Sequence, residues 1–569
     1  MEEDARFHFS LQVLRLSFMR LFPFALLQAL WLARVGASRT SLSRRPAAKS
    51  FVAAAVSAPS SSDSVSLANV EDIRYAITTM VNGVPFNLLV DTGSADLWVI
   101  EPSDSRAASF TYDSTNSQPF VLVYGGGNIT GVTASASVQI GDFSISNQAI
   151  GVIPPSGVHV ADVLELGLDG LVGTAFGLNN NPFDESFLVA ELGPVAGQPF
   201  LFNIFDSMPV ENNFVGMSLS RTDDLEGSAD ASFTVNSLDP LHAAAVSSAA
   251  PQAVFPGIDA NGRWSVLVDA IYVGTTQIPL GDSVIHGTPA GKLVVMMDSG
   301  TPTSSIPTAL WYALYANIPG TTVGDIDGAP VFTIPCESTT IMTVVIGGVQ
   351  FPIHPLDLSN IATGPSADVG LGDNSVCLSA LNAGPADPGD IDVIFGDSFM
   401  RNFYSVFNYG DSPSSPGSDA SIQFVSLTDA ASAQSDVAAV RMQAFANGTY
   451  PPELTTTLSG FVPAIPGVFP SFLNPDGSDG SAAGALSGSL ASGSTETSGS
   501  SKYVTVIISL LAANLLVVLA LLVLGIMTYR RTASKAREAK YQPLQLPKKL
   551  ALQGELDDSE GLVDGRYSD

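Results

Sequence analysis

The sequence is poor in positive charge. Lys and Arg number 24 against 54 Asp and Glu, which gives a net charge of −30 at pH 7. Only six basic residues occur between positions 71 and 427, namely Arg74, Arg106, Arg221, Arg263, Lys292 and Arg401. Because no basic stripe is available to neutralise phosphates, the sequence argues against nucleic-acid binding. The acidic surface suits an acidic medium, in which protonation lowers self-repulsion, although such surfaces also simply aid solubility.

Sulfur and imidazole ligands are also scarce. The chain has two cysteines, Cys336 and Cys377, and five histidines, with no CxxC and no cluster at ligand spacing. This pattern predicts no metal site and no cofactor. In an oxidising compartment two cysteines most simply form one disulfide, and the alternative is a pair of buried free thiols.

A short hydrophobic run lies near the N-terminus. Basic residues precede the apolar run Leu21–Leu32, and small residues follow it at 35–37. This order predicts a signal peptide at residues 1–37, and the run is short for the alternative of an uncleaved membrane anchor. The polar, Ala/Ser-rich residues 38–70 are interpreted as either a pro-segment or a disordered leader.

The one long hydrophobic run lies near the C-terminus. Tyr503–Met527 is uncharged and long enough for one transmembrane helix. Five basic residues follow between 530 and 540, against Lys502 alone before the run, so residues 528–569 are predicted to be a cytosolic tail. The stretch before the span is rich in Gly, Ser and Ala, a composition typical of flexible linkers, so residues 428–502 are predicted to be a stalk. These features predict a single-pass type I membrane protein.

The region between 71 and 427 has the pattern of a β protein. Its apolar runs are short, β-branched and bounded by turn residues, and helical patterns such as Thr308–Ala316 are minor. The clearest predicted strands are Tyr75–Met80, Phe86–Val90, Val132–Ile140, Ser265–Val273, Met342–Ile346 and Ile391–Phe395. The predicted fold class is therefore all-β with minor helix.

Two short motifs in this region repeat one arrangement. An apolar run leads into Asp91-Thr-Gly-Ser, and a second apolar run leads into Asp298-Ser-Gly-Thr. A strand positions each carboxylate, and a glycine two residues later lets the backbone turn tightly. The neighbouring hydroxyls can hold carboxylates and backbone groups in place. The repeat indicates a duplicated fold with one aspartate in each half. The flanking residues are Thr92, Gly93 and Ser94 in the first motif and Ser299, Gly300 and Thr301 in the second.

The region from about 72 to 427 resembles the pepsin-like aspartic proteases, of the fungal type with a membrane anchor. Besides the two motifs, Val123–Gly127 is similar to the family's flap, a hairpin that closes over substrate. Leu168–Gly173 and Val393–Asp397 are similar to the segments that thread beneath each catalytic loop. Phe399–Tyr409 is similar to the closing strand. The resemblance implies a bilobal fold with an N-terminal lobe at 71–215, a C-terminal lobe at 216–427 and the active site between them.

Roles for individual residues follow from the same resemblance. It implies that Asp91 and Asp298 are the catalytic pair and that Thr92 and Ser299 tie the two loops together. It implies that Ser94 and Thr301 bond the outer carboxylate oxygens. The flap and substrate-binding set comprises Tyr124, Gly125, Gly126 and Trp98, whose indole can bond the flap tyrosine. Cys336 and Cys377 fall where the family's C-terminal lobe often has a disulfide.

Some positions depart from the family pattern. Ser299 replaces the commoner threonine but keeps the hydroxyl. Pro302 follows Thr301 where a small polar residue is usual, and Gly126 stands where the flap often has Ser or Thr. These changes are expected to alter substrate contacts more than the chemistry.

The predicted function is aspartic endopeptidase activity on polypeptides, with an acidic optimum and with water activated between Asp91 and Asp298. The alternative is a protease-like ectodomain that has lost turnover and serves as a binding or adhesion module. A single-span receptor ranks last, because the tail is short and has no recognisable domain. The catalytic region is expected outside the cell or in an acidic endolysosomal or vacuolar lumen.

Smaller motifs concern modification and sorting. Asn128 and Asn447 begin glycosylation sequons, for which an unmodified polar turn is the alternative. In the tail, Tyr541–Leu544 is similar to a signal read by sorting adaptors, whereas the nearby basic cluster could instead enforce topology or touch anionic lipid. The ectodomain is predicted to be monomeric.

Overall fold

The computed structural model describes residues 64–473, with gaps at 71–73, 125–126, 161–162, 164–165, 178–185, 208–212, 222–230, 258–261, 327, 364–369, 385–390 and 411–418. The predicted signal peptide, transmembrane span, cytosolic tail and sorting motif lie outside these residues. Within the described part, no helix is both long and apolar enough to cross a bilayer.

Strands make up most of the described chain. In the first half they are β1 (Ser64–Ser66), β2 (Ala68–Val70), β3 (Arg74–Val81), β4 (Val84–Asp91), β5 (Leu97–Ile100), β6 (Pro119–Tyr124), β7 (Gly127–Ile140), β8 (Phe143–Ile153), β9 (Gly170–Gly173), β10 (Asn213–Ser218), β11 (Ser232–Val235) and β12 (Gln252–Ala253). In the second half they are β13 (Ser265–Val273), β14 (Thr276–Ile278), β15 (Leu293–Met297), β16 (Ser305–Ile306), β17 (Thr322–Ile326), β18 (Ala329–Ile334), β19 (Met342–Ile346), β20 (Val349–Ile353), β21 (Ser359–Thr363), β22 (Ser375–Ser379), β23 (Asn382–Ala383), β24 (Val393–Phe395), β25 (Phe403–Gly410), β26 (Ser421–Ser426) and β27 (Val462–Pro463).

Helices are short and few among the described residues. The α-helices are α1 (Phe187–Leu192), α2 (Phe200–Ser207), α3 (Ala243–Val246), α4 (Thr308–Ala316), α5 (Asp397–Met400), α6 (Ala430–Asp436) and α7 (Gln443–Ala446). A π-helical turn, Val437–Met442, joins α6 to α7. Single 3₁₀ turns lie at Ser105–Ala108, Pro155–Gly157, Pro355–Asp357 and Ser471–Leu473. The predicted helix Thr308–Ala316 coincides with α4.

The strands form four sheets arranged as two lobes. The N-terminal sheet has the order β2-β3-β4-β9-β5-β8-β7-β6. The C-terminal lobe contains the sheets β20-β19-β13-β15-β24-β16-β23 and β21-β22-β18-β17-β27. A six-stranded sheet, β1-β11-β10-β25-β26-β12, takes strands from both halves of the chain. The prediction of a mostly β, bilobal fold with little helix is confirmed.

Each lobe places one motif aspartate at the end of a strand that is buried on both faces. In β4, Phe86, Leu88 and Val90 join one apolar cluster and Leu89 joins another. In β15, Leu293, Val295 and Met297 join the first of these clusters, and Val294 and Met296 join a third one. The division arises because alternate side chains of a strand point to opposite faces. Burial on both faces explains why Leu88–Val90 before Asp91 and Leu293–Met297 before Asp298 are continuously apolar rather than alternating.

The two lobes also repeat one strand pairing. β9 lies parallel to β4 and aligns Gly173 with Asp91, and β24 lies parallel to β15. The N–H of Thr174 donates to the carbonyl of Asp91 at 2.8 Å, and the N–H of Asp298 donates to the carbonyl of Phe395 at 2.9 Å. Both aspartates therefore sit on backbone that is fixed by an adjacent parallel strand.

An aromatic cluster joins the lobes beneath this pair. The Trp264 indole donates to the carbonyl of Thr174 at 3.1 Å, and the Tyr409 hydroxyl donates to the same oxygen. The Trp264 ring lies 4.3 Å from that of Phe176 and 4.8 Å from that of Tyr409. Residues from both halves of the chain thus pack together next to the loop that carries Asp91.

Segments assigned by sequence to the leader and to the stalk take part in the fold. Residues 64–70 form β1 in the shared sheet and β2 in the N-terminal sheet. In 428–473, Arg441 is buried and donates to the Ser359 hydroxyl at 2.7 Å. These residues add α6, α7 and β27 to the C-terminal lobe, so the stalk as predicted from 428 includes folded chain as far as Leu473.

The predicted disulfide is confirmed. Cys336 and Cys377 are bonded, with their Cα atoms 5.3 Å apart. The backbone N–H of Cys336 donates to a carboxylate oxygen of Glu453 at 2.9 Å. The bridge therefore lies in the C-terminal lobe, where the segment after 428 packs against it.

Candidate active site

The two motif aspartates are held in equivalent ways. Each carboxylate accepts one hydrogen bond from the backbone N–H two residues later and one from the hydroxyl three residues later. The distances are 2.7 Å from Gly93 N to Asp91 Oδ1, 2.8 Å from Gly300 N to Asp298 Oδ1, 2.5 Å from Ser94 Oγ to Asp91 Oδ2 and 2.6 Å from Thr301 Oγ1 to Asp298 Oδ2. Both carboxylates are therefore oriented before any ligand arrives.

The hydroxyls of Thr92 and Ser299 lock the two loops together. The N–H of Thr92 donates to Ser299 Oγ at 3.1 Å, and the N–H of Ser299 donates to Thr92 Oγ1 at 2.9 Å. Each hydroxyl then donates to the opposite strand, Thr92 to the carbonyl of Met297 at 2.7 Å and Ser299 to that of Val90 at 2.8 Å. Serine serves here as well as threonine would, because only the hydroxyl takes part.

The two glycines show how closely the loops face each other. A Cβ on Gly93 would lie 2.5 Å from Asp298 Oδ1, and a Cβ on Gly300 would lie 2.2 Å from Asp91 Oδ1. Both distances are below any real Cβ contact. Each carboxylate therefore lies against the glycine of the other loop, which brings the two acids into one site.

Proximity and burial change the acidity of the pair. Burial and the charge of Asp298 raise the pKa of Asp91 from an ordinary value of 3.8 to about 7, although the hydrogen bonds from Ser94 and Gly93 lower it. Two carboxyls that share a site cannot both ionise cheaply. Such a pair retains one proton under acidic conditions and offers one acid and one base side by side.

The hairpin of β6 and β7 brings a tyrosine to the site. Trp98, which is buried in β5, donates its indole N–H to the Tyr124 hydroxyl at 2.8 Å. Tyr124 is the last residue of β6 and pairs with Gly127. The structure thus brings together the predicted Tyr124 and Trp98, while Gly125 and Gly126 lie outside the described residues.

This duplicated arrangement has known relatives. A family model described as eukaryotic aspartyl protease matches residues 75–415. The chain belongs to this family. It is 27% identical over 358 residues to the aspartic-type endopeptidase ctsD of Aspergillus fumigatus, an alignment that covers 59% of this chain and 64% of the relative. It is 25% identical over 367 residues to pepsin A of Sus scrofa, covering 60% of this chain and 80% of pepsin.

A solved structure is also similar. The aspartic proteinase from Irpex lacteus has a TM-score of 0.47 and 18% identity, and the match covers 65% of this chain and 99% of that chain. The family match and the two relatives above confirm the resemblance to pepsin-like aspartic proteases that the Asp91 and Asp298 motifs indicated. The chain spans 64% of the length of the fungal relative.

Sequence analysis did not single out another buried acid beside the Asp298 loop. Asp397 begins α5 and is fully buried, and among the described residues neither carboxylate oxygen has a hydrogen-bond partner. Its backbone N–H donates to the carbonyl of Thr301 at 2.8 Å, next to the second catalytic loop. Burial raises the pKa of Asp397 well above its usual range, although the charges of Arg74 and Arg401 oppose this shift.

Arg74 is a second feature that sequence reasoning did not place at the site. It is buried at the start of β3, and its Nη1 donates to the carbonyl of Gly300 at 2.9 Å. A cation of the N-terminal lobe therefore holds the backbone of the Asp298 loop. The available signal was that Arg74 is one of only six basic residues between positions 71 and 427.

The other predicted site residues of the protease lie apart from the dyad. Asn128 is half-buried in β7, opposite Val123 of the flap hairpin. Asn447 is exposed after α7, and its side-chain oxygen accepts from the Thr449 hydroxyl at 2.6 Å. Among the described residues, no three His, Cys, Asp or Glu side chains lie close enough together to hold a metal ion.

We expect the stability of the protease to fall as the pH rises from 4 to 7. The pKa of Asp91 is raised to about 7, and burial raises that of Asp96 to about 6. The folded state therefore holds protons that the unfolded chain releases above its ordinary pKa of 3.8. The free energy of unfolding should drop by roughly 1.4 kcal/mol per pH unit for each such proton.

Urea denaturation at a series of pH values would measure this dependence. The Asp91→Asn variant should show a shallower decline, because its side chain does not titrate. A free energy of unfolding that stays constant or rises between pH 4 and pH 7 would contradict the assignment of raised pKa values.

Proposed function

We propose that this chain is an aspartic endopeptidase whose catalytic groups are Asp91 and Asp298. The observation that carries the proposal is the facing pair of carboxylates, each bonded by its own loop and both loops locked by Thr92 and Ser299. The names of the relatives, an aspartic-type endopeptidase and a pepsin, support the same reaction.

The reaction follows from one shared proton. The ionised carboxylate of the pair takes a proton from a water molecule, and the oxygen of that water attacks the carbonyl carbon of the peptide bond. The protonated carboxyl donates a hydrogen bond to the carbonyl oxygen and stabilises the charge that develops there. Collapse of the tetrahedral intermediate breaks the C–N bond, and a proton passes to the leaving nitrogen. The hydroxyls of Ser94 and Thr301 hold the outer oxygens during these transfers.

The substrate we propose is an extended polypeptide. The β6–β7 hairpin places Tyr124 next to buried Trp98 in the lobe that carries Asp91, so this edge can cover a chain lying across the dyad. An extended peptide suits such a cleft because its backbone groups remain available for hydrogen bonds along its length.

We further propose that the enzyme is tethered to a membrane through residues 503–527. The uncharged run and the basic residues after it would place residues 38–502 outside the cytosol. An acidic endolysosomal or vacuolar lumen, or an acidic cell exterior, would supply the proton that the pair shares. In the tail, Tyr541–Leu544 would be the motif that a sorting adaptor binds.

A peptidase assay of the full-length protein between pH 3 and pH 8 tests the catalytic proposal. We expect cleavage of an unfolded protein substrate that is fastest at acid pH and declines as the pH passes about 7, the pKa of Asp91. A statine-type inhibitor, which mimics the tetrahedral intermediate, should abolish the cleavage. If no cleavage is detected at any pH and the inhibitor does not bind, the proposal is contradicted and the binding-module alternative is favoured.

A further inference from the structure

An apolar turn projects from the segment that follows the C-terminal lobe. The N–H of Val468 donates to the carbonyl of Ile465 at 3.0 Å, and Pro466 and Gly467 occupy the two central positions. Gly467 has φ +77°, which a type II turn requires at its third residue. The two residues that flank the tip are apolar and 54% exposed each. Turn tips usually carry polar residues, so this exposure calls for a partner.

Two further apolar side chains of the same segment are also exposed. Val462 and Phe472 are each 44% exposed, whereas Ala464 and Phe469, from the same segment, pack against the main core. The inward side chains anchor the segment and the outward ones remain uncovered. We call the outward set, Val462, Ile465, Val468 and Phe472, the apolar ridge.

The apolar ridge is fixed to the C-terminal lobe rather than loosely attached. β27 pairs with β17 and extends a sheet of that lobe. The hydroxyl of Tyr312 accepts from the N–H of Ile465 and donates to its carbonyl, both at 3.2 Å. The rings of Tyr312 and Phe469 lie 5.2 Å apart. The turn therefore presents its apolar side chains in a defined position.

The stretch of chain that carries the ridge lacks charge, although the adjacent strand β17 carries the exposed Asp325. No Asp, Glu, Lys or Arg occurs between Glu453 and Asp476, in a chain with 54 acidic residues. An acidic neighbour would oppose contact with a lipid surface, because a carboxylate must be desolvated or protonated there. The stretch that carries the ridge is therefore suited to a low-dielectric boundary.

We propose that the apolar ridge inserts into the lipid bilayer to which the enzyme is tethered. The proposal rests on the membrane tether proposed above, since only residues 474–502 separate the last described residue, Leu473, from the predicted span. A short connection keeps the ridge at a high effective concentration near the bilayer, so even a weak apolar contact would be populated. The C-terminal lobe would then rest against the membrane by this turn.

Lipid-borne quenchers test the proposal in the full-length protein. The native cysteines are joined to each other, so a cysteine introduced as Val468→Cys or Phe472→Cys can carry a polarity-sensitive fluorophore. Matched controls are Val195→Cys and Leu241→Cys, at apolar positions that are 85% and 82% exposed. After reconstitution into phosphatidylcholine vesicles that contain brominated or spin-labelled lipid, we expect severalfold stronger quenching at the two ridge positions than at the controls.

Three other outcomes would overturn the proposal. Equal quenching at ridge and control positions, in protein that resists alkaline extraction, would refute the ridge contact while leaving the tether intact. Protein that alkaline buffer extracts from the vesicles would refute the tether and the ridge contact together. A fluorescence change that depends on protein concentration in detergent, without lipid quenching, would assign the ridge to a second copy of the chain. Peptidase activity measured on each labelled variant confirms that it is folded.

Discussion

Replacement of Asp91 by asparagine is expected to lower kcat by about three to four orders of magnitude at acid pH, and Asp298→Asn should do the same. An amide cannot take a proton from water, and it cannot supply one to the leaving nitrogen. The shape of the site should persist, because the oxygen of asparagine can accept from the Gly93 N–H, and its amide NH2 can donate to the Ser94 hydroxyl, which can act as donor or acceptor. The loss should therefore fall on kcat far more than on KM.

The control for this experiment is Asp142→Asn, which removes an exposed carboxylate of the same lobe. Its activity should match the wild type. Folding of the catalytic variants can be checked by their binding to a statine-type inhibitor and by urea denaturation at pH 4. Residual activity of one tenth or more in both single variants, in preparations free of other proteases, would refute the assignment of the dyad.

Replacement of Asp357 by alanine is expected to destabilise the protein by about 3–5 kcal/mol, because two buried guanidinium groups would lose their counter-charge. Arg221 contacts one carboxylate oxygen at 2.5 Å and Arg401 contacts the other at 2.9 Å, and all three side chains are buried. The side-chain amide of Asn402 donates a further bond at 2.9 Å. This network links the end of the shared sheet to the turn that follows α5, close to the second catalytic loop.

The Asp357 network should also hold at the acid pH at which the enzyme is proposed to work. Burial alone would raise the pKa of Asp357, yet the charges of Arg221 and Arg401 keep it well below its usual range. A depressed pKa contributes stability that is present above the unfolded pKa and is lost only as the pH falls through the folded value. Wild-type protein should therefore keep this contribution at pH 4.

Chemical denaturation of Asp357→Ala and of a control, Asp104→Ala, would measure the difference. Asp104 pairs with Arg106 at 3.0 Å on the surface, where solvent screening leaves such a pair only a small contribution to stability. Similar small losses in both variants would show that the buried network is not a main support of the C-terminal lobe.

The sequence alone determined the parts of this protein that depend on local pattern. An apolar strand followed by Asp-x-Gly and a hydroxyl specifies a loop whose own backbone and side chain bond the carboxylate, so both loops could be predicted without knowledge of the rest. Two such motifs indicated a duplicated fold and hence an active site between the halves. The disulfide could be predicted because the chain has only two cysteines. The strand β13 was predicted at its observed bounds, because its apolar run is delimited at both ends.

Only the tertiary structure decided the features that depend on distant partners. Residues 64–70 were assigned by sequence to a pro-segment or leader, yet they form strands because β11 and β3 pair with them. The segment after 428 packs on the C-terminal lobe through contacts such as Arg441 with Ser359 and Glu453 with Cys336, which join residues far apart in the chain. Asp397 ends a recognisable motif, but its isolation from hydrogen-bond donors exists only in the folded interior. Local sequence pattern does not specify which residues contact one another across the fold. Those long-range contacts determine the burial and the electrostatic environment of the site residues.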